Sequence, residues 1–234
     1  ISSHLISSHL ISSHLISSHL ISSHLTSYFK TIDFCLLFFC CVVLVGGGVT
    51  LSTNAGEMFT AIGASSVSRA TTLFSGTQSF TRVFGGWSCD ALRQRSWQRT
   101  WILTVALIIM SVGYLCLIVN DEEWLSIGIV ICGAGFGFVW PTMVVLVSER
   151  FGTANLGSNY MIFDGGTSAF GSLIFSKLIP SWFYNAHISS DDDETDCVGD
   201  GCFRGLFIVV LCSCMVALLA SLRLTMKFQH KKGE

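Results

Sequence analysis

The stretch RVFGGWSCDALRQRSWQR, residues 82–99, joins two apolar segments through a short basic turn. It begins inside the first apolar segment, changes character at a glycine pair, and ends in a turn that carries Asp90, Arg93, Arg95 and Arg99. Lysine and arginine near the ends of membrane helices gather on the cytoplasmic side. The stretch therefore predicts two membrane helices that meet on that side.

The composition of the chain excludes an ordinary soluble domain. Charged residues make up 12% and hydrophobic residues 51% of the sequence, and the mean hydropathy is +0.63. Soluble domains carry roughly 25% charged residues. Eight of the ten cysteines lie in or beside apolar segments, where we expect them to serve as small core or lipid-facing side chains rather than as a disulfide scaffold.

Residues 1–25 consist of the pentapeptide ISSHL repeated five times. A histidine-rich metal tract is one interpretation, in which neighbouring copies share a metal. However, a five-residue step turns successive histidines by about 140° on a helix, and it alternates them between the two faces of a strand. We therefore predict a disordered low-complexity repeat, and no metal site. The repeat also lacks the basic and apolar regions of a signal peptide.

Six apolar segments follow, and each approaches the roughly 20 residues that a membrane helix needs. They are residues 32–50, 66–87, 101–119, 124–147, 158–179 and 205–224. The second is the weakest, because it is rich in serine and threonine. The sequence predicts an all-α integral membrane protein with six transmembrane helices. We divide it into the repeat (1–25), a six-helix domain (26–227) and a basic cytoplasmic tail (228–234).

The positions of the basic residues set the orientation of the six segments. With both ends of the domain in the cytoplasm, nine of the thirteen basic residues lie inside. These are Lys30, Arg93, Arg95, Arg99, Arg150, Arg223, Lys227, Lys231 and Lys232. The reverse orientation would place nearly all of them on the wrong side.

Arg82 and Asp164 are charged residues inside the second and fifth segments. Arg82 lies five and Asp164 six residues from the cytoplasmic end of its segment, about 8–9 Å deep by the rise of a helix. A charge at the middle of a membrane helix costs about 2.5–3.5 kcal/mol on insertion scales. We expect each to have a partner or a water-filled cavity. Either the two form a pair concerned with substrate, proton or gate, or each is satisfied separately near the interface.

The glycine run at residues 133–137 superficially resembles a nucleotide-binding loop. Such a loop needs a strand before it and a helix after it, whereas this run lies within a continuous apolar segment. Glycines at this spacing let helices pack closely, and Pro141 removes a backbone hydrogen bond and kinks the helix. We therefore predict close helix packing at a bend, and no nucleotide or nucleic acid as a ligand.

The remaining polar motifs lie outside the apolar segments. Asp90, Arg93 and Arg95 form either a gate latch or a solvated hairpin, and Glu149-Arg150 pairs locally or joins the same latch. Cys197 and Cys202 lie in an acidic loop on the non-cytoplasmic side, where an oxidising compartment favours a disulfide.

Several stretches resemble the nodulin-like branch of the major facilitator superfamily. Residues 86–95 are similar to the loop signature G-x-x-x-D-x-x-x-x-R of the superfamily. IDFCLLFF followed by GGG and TNAGEMF resembles the opening of the C-terminal half of nodulin-like proteins. SERFGTANLGSNYMIFDGGTSAFGSLIFS resembles their connection between the fourth and fifth helices of that half, and CVGDGCFR resembles the entry to the last helix. The resemblance covers residues 31–227.

This resemblance implies one six-helix half of a twelve-helix transporter that rocks against its other half around a solute. It places Gly86, Asp90, Arg93 and Arg95 in the cytoplasmic gate, with the first and fourth helices along the path. In two respects the chain departs from the pattern. Arg93 occupies the position of the usual second glycine, and the ISSHL repeat stands where six N-terminal helices are expected.

These observations favour a carrier of a small solute, present as a partial chain. Its expected partners are the lipid bilayer, an unknown solute and a missing N-terminal half. A non-transporting fragment or accessory membrane subunit is the alternative. We expect no enzymatic activity and no cofactor, since the apolar segments contain no set of facing catalytic residues. The choice between the plasma membrane and an internal membrane stays open.

Overall fold

The computed structural model describes residues 32–61, 67–95, 97–119, 121–153, 156–187 and 201–233. The elements are α1 (Ile32–Ala61), α2 (Val67–Gln94), α3 (Thr100–Ile118), α4 (Glu122–Phe151), α5 (Leu156–Gly171), a π-helical segment (Ser172–Leu178), α6 (Ile179–His187) and α7 (Gly201–Gly233). The chain divides into two units, residues 1–36 and 37–234. Of the residues that the structure describes, 32–36 at the start of α1 belong to the first unit, and all packing given below lies within the second.

The described chain forms six helical rods, which confirms the prediction of an all-α membrane protein with six helices. The fifth rod consists of α5, the π-helical segment and α6, which follow one another without a break. Four helices, α1, α3, α4 and α7, are long and apolar enough to cross a membrane. The other two rods carry more polar residues, as expected for the second segment.

Helix α2 extends further than the sequence indicated. The glycine pair Gly85-Gly86 does not end it, and it runs on through Asp90 and Arg93 to Gln94. Alanine, leucine, arginine and glutamine are strong helix formers, and the sequence ALRQ after Asp90 consists only of these. The interhelical turn is therefore shorter than predicted.

Helix α1 lies at the centre of the second unit. All residues from 40 to 48 are buried, which requires neighbours on every side of the helix. Tyr114 of α3 is fully buried and donates a hydrogen bond from its hydroxyl to the backbone oxygen of Gly47, at 2.8 Å. Its ring lies 6.2 Å from the ring of Phe207 of α7. A single tyrosine thus links three helices.

The glycines of α4 confirm the prediction of close helix packing. A Cβ atom on Gly133 would lie 3.0 Å from the backbone oxygen of Phe74 in α2. One on Gly135 would lie 3.0 Å from the backbone oxygen of Ala106 in α3. The alternate glycines therefore let α2 and α3 approach α4 closely on two sides. Helix α4 continues through Pro141.

Several predictions fall outside the described residues or at their limit. The ISSHL repeat and Cys197 lie outside them, so the disorder of the repeat and the disulfide with Cys202 stay predictions. Helix α7 continues to Gly233, so most of the predicted tail is helical. The domain boundaries at 25 and 227 also stay predictions. The eight cysteines beside the apolar segments are free, and five of them are buried.

Candidate functional site

Arg82 lies well inside α2, twelve residues before its end at Gln94, about 18 Å along the helix axis. Its guanidinium carbon lies 5.0 Å from the ring centroid of Trp140 in α4, within the range of a cation–π interaction. Within the described ranges, no carboxylate lies within the 4.0 Å that defines an ion pair with Arg82. An aromatic ring, and no counterion, is thus its contact with α4.

Asp164 lies on α5, eight residues after the helix begins, and is half-buried. One carboxylate oxygen, Oδ1, is buried and has no hydrogen-bond partner in the described part of the chain. Tyr160 lies one helical turn earlier on the same helix. Within the described ranges, no ion pair joins Asp164 to Arg82, so the structure does not bring the two interior charges into direct contact.

Trp140 is the residue of α4 that contacts Arg82. The indole nitrogen Nε1 is buried and has no hydrogen-bond partner among the residues that the structure describes. The ring centroid lies 5.9 Å from that of Phe136, edge to face, and Phe136 in turn stacks on Phe74 of α2. Buried polar atoms are nearly always hydrogen-bonded. Trp140 Nε1 and Asp164 Oδ1 are therefore two separate atoms whose hydrogen bonding water or a solute would complete.

Of the four residues Arg82, Trp140, Tyr160 and Asp164, the sequence identified only the two charged ones. Arg82 and Asp164 stand out as charges in apolar segments. Tyr160 precedes Asp164 by four residues, a spacing that puts two side chains on one helix face, and this signal could have identified it. Nothing in the sequence distinguishes Trp140 from the five other tryptophans.

A second polar cluster lies where α3 begins and α4 ends. Arg99 donates to the Glu149 carboxylate over 3.1 Å, and the arginine side chain is 11% exposed against 42% for the glutamate. The thiol of Cys89 lies within electrostatic range of Arg99, Asp90 and Glu149. The structure thus links Glu149 to the basic hairpin through Arg99, a pairing between helices that the sequence left open.

The end of α7 joins the same cluster. The Arg150 guanidinium carbon lies 3.3 Å from the ring centroid of Phe228. The side-chain nitrogen of Gln98 donates to the backbone oxygen of Phe228, at 3.2 Å. The start of α3 and the ends of α4 and α7 are therefore held together by polar and cation–π contacts.

The predicted gate residues lie at the edge of this cluster. Asp90, Arg93 and Arg95 are exposed. Within the described ranges, no ion pair joins the aspartate to either arginine. A Cβ atom on Gly86 would meet nothing within 4 Å, so this position has room for a larger residue.

Comparisons with known proteins agree with this architecture. The sequence profile of the Major Facilitator Superfamily matches residues 35–233. Protein NUCLEAR FUSION DEFECTIVE 4 of Arabidopsis thaliana is 25% identical over 185 residues, which cover 76% of this chain and 31% of that protein. The chain thus spans less than a third of the length of this relative. No solved structure matches the sequence. Because the profile match covers most of the chain, the protein belongs to the Major Facilitator Superfamily.

Proposed function

We propose that this chain is the C-terminal six-helix half of a nodulin-like carrier that moves a small solute across a membrane. The observation that carries the proposal is the presence of two charges inside apolar segments: Arg82, in contact with Trp140, and Asp164, which has a buried oxygen without a partner among the described residues. Charges inside membrane helices are costly and mark solute or ion pathways. Superfamily membership and the sequence stretches that resemble nodulin-like proteins support the same conclusion.

The exposed apolar residues support the two partners that this function requires. Val105, Ile108, Val112 and Leu115 of α3 are exposed at helical spacing, which suits contact with lipid tails. On α2, exposed apolar residues also recur at helical spacing: Phe80, Val83, Phe84 and Trp87. This face suits contact with a second six-helix half, which would rock against this one.

The basic hairpin is proposed as the cytoplasmic gate. Gly86, Asp90, Arg93 and Arg95 precede Arg99 in the chain, and the Arg99–Glu149 ion pair holds the start of α3 to the end of α4. Ion pairs near a surface contribute only about 0–1 kcal/mol. A contact of this size could break and re-form as the two halves move.

Two smaller assignments complete the proposal. The residues after 227 face the cytoplasm, and Cys197 forms a disulfide with Cys202. Mass spectrometry of the unreduced protein tests the disulfide, since a peptide linked through both cysteines is expected only if it forms.

An accessory membrane subunit that transports nothing by itself is the second candidate. The six helical rods that the structure describes supply one wall of a central solute site, and an accessory subunit would lend such a wall to a partner. Either function is non-enzymatic, as is typical of this superfamily.

Uptake of labelled solutes by proteoliposomes tests the proposal. The chain is reconstituted alone and together with a six-helix half encoded upstream of the repeat, if the transcript contains one. Arg82→Gln is expected to abolish uptake, whereas Arg69→Gln, which neutralises an exposed arginine nearer the start of the same helix, should preserve it. Absence of uptake in both preparations would refute the carrier function and support the accessory subunit.

A further inference from the structure

The fifth helical rod changes its hydrogen-bonding pattern partway along its length. Between α5 and α6, the seven residues Ser172–Leu178 form a π-helix. The backbone N–H of Ile179 donates to the backbone oxygen of Ile174, five residues earlier, whereas an α-helix bonds four residues back. Short π-helical turns inside longer helices are rare, and they occur frequently at functional sites.

The two parts of the rod on either side of the π-helical segment pack on different helices. Helix α5 packs on α4, and α6 packs on α7. On α5, the Thr167 hydroxyl donates to the sulfur of Met143 in α4, at 3.7 Å. On α6, the Phe183 ring fills the space that a Cβ atom on Gly205 of α7 would need. The π-helical segment therefore connects two parts that different neighbours hold.

A backbone contact with α1 fixes the residue just before the π-helical segment. A Cβ atom on Gly171 would lie 2.9 Å from the backbone nitrogen of Gly46 and 3.0 Å from the backbone oxygen of Val42. Main-chain atoms cannot turn aside as a flexible side chain can. Movement of the rod against α1 must therefore begin after Gly171.

A hydrogen bond between side chains holds the middle of the π-helical segment to α1. The hydroxyl oxygens of Thr53 and Ser176 lie 2.6 Å apart, and Ser176 is buried. Pro180 follows the segment and has no backbone N–H to donate to it. A single hydrogen bond contributes little net free energy, so this contact can break and re-form.

We propose that the segment Ser172–Leu178 is a hinge, which lets α6 move with α7 while α5 stays on α1 and α4. The hydrogen bond between Thr53 and Ser176 holds the hinge in the π-helical form. A role of the hinge in transport rests on the function proposed above, whereas its movement can be measured in the absence of a solute.

The hinge moves by exchange of backbone hydrogen bonds. When each N–H in the segment changes its acceptor from the fifth to the fourth preceding residue, the π-helix becomes an α-helix. One residue corresponds to about 100° of rotation in an α-helix, so this change turns α6 relative to α5. Ser176 turns with it, and the bond to Thr53 must open first.

Hydrogen–deuterium exchange of the full chain in phosphatidylcholine nanodiscs, followed by mass spectrometry, tests the hinge. Thr53→Val and Ser176→Ala should each speed exchange of residues 172–187 about fivefold, while residues 156–171 keep the rates of the parent chain. Thr60→Val is the matched control. Both threonines donate to a backbone oxygen of α1 four residues earlier, so the control loses that bond without affecting the hinge.

Deletion of a single residue gives an independent readout. Without the exposed residue Leu173, the segment should close as an α-helix, with the unfolding midpoint of the parent chain and slower exchange. Deletion of Ile108, an exposed residue of α3, is the control. It should unfold the chain, because it turns the rest of α3 by about 100° and takes Tyr114 away from Gly47.

The outcomes separate the hinge from the transport function. Equal exchange of residues 156–171 and 172–187 in the parent chain would overturn the hinge, as would unchanged exchange in both hydroxyl variants. Unfolding on deletion of Leu173 would overturn it too. The expected exchange in a chain that takes up no solute would support the hinge and count against transport. Uptake without the expected exchange would refute only the hinge.

Discussion

The contact between Gly113 of α3 and α4 gives a quantitative test of the helix packing. A Cβ atom at Gly113 would lie 2.9 Å from the backbone nitrogen of Cys132 and 3.0 Å from the backbone oxygen of Gly128. Both are main-chain atoms of α4, so they cannot turn aside as a flexible side chain could. Gly113→Ala must therefore push the two helices apart or strain them, at a cost of about 1–3 kcal/mol for overpacking.

Gly76→Ala is the matched control for this substitution. Gly76 lies inside α2, is exposed, and would place its Cβ atom with nothing within 4 Å. Alanine there gains only the helix propensity difference, about 0.5–1 kcal/mol in favour of folding. Gly113→Ala gains the same amount and loses more, so it should be about 1–3 kcal/mol less stable than the control.

Unfolding of the purified chain in mild detergent, followed by circular dichroism, measures this difference. The expected result is a lower midpoint for Gly113→Ala than for the parent chain, and an equal or higher one for Gly76→Ala. Two variants of equal stability would refute the close approach of α3 and α4 at Gly113.

Two further predictions concern hydrogen bonds and charge. Tyr114→Phe removes the buried hydrogen bond to the Gly47 oxygen, at 2.8 Å, and should lower the free energy of unfolding by about 1 kcal/mol. The same unfolding experiment measures this difference. No change would contradict the link between α1 and α3. Arg99→Gln breaks the ion pair with Glu149 and should destabilise the chain more than Arg95→Gln, which alters an exposed arginine. Equal melting temperatures of the two variants would contradict a contribution from that ion pair.

The six helices could be predicted from the sequence because a helix that spans a membrane requires a long run of apolar residues. The close packing of α4 was also predictable, because glycines at alternate positions of an apolar segment let neighbouring helices approach closely. Helix ends were less so: the prediction ended the second helix near Trp87, whereas the helix formers after Asp90 carry α2 to Gln94.

The contacts between distant residues could not be read from the sequence. Arg82 and Asp164 stood out because a charge in an apolar segment is costly. The contact of Arg82 with Trp140 depends on how α2 and α4 pack, and local sequence does not encode that packing. The same holds for Arg99, whose nearest acidic residue along the chain is Asp90, although its partner in the structure is Glu149.

Chemical labelling of topology in intact cells tests the central claim most directly. The claim is that six helices cross the membrane, with the basic hairpin inside and the acidic stretch Asp191–Asp196 outside. Single cysteines are introduced by Arg95→Cys and Asp192→Cys into a chain whose ten native cysteines have been replaced. A membrane-impermeant maleimide should label position 192 in intact cells, and position 95 only after the cells are permeabilised. Labelling of both positions from the same side would contradict the six-span arrangement and, with it, the assignment of the hairpin as a cytoplasmic gate.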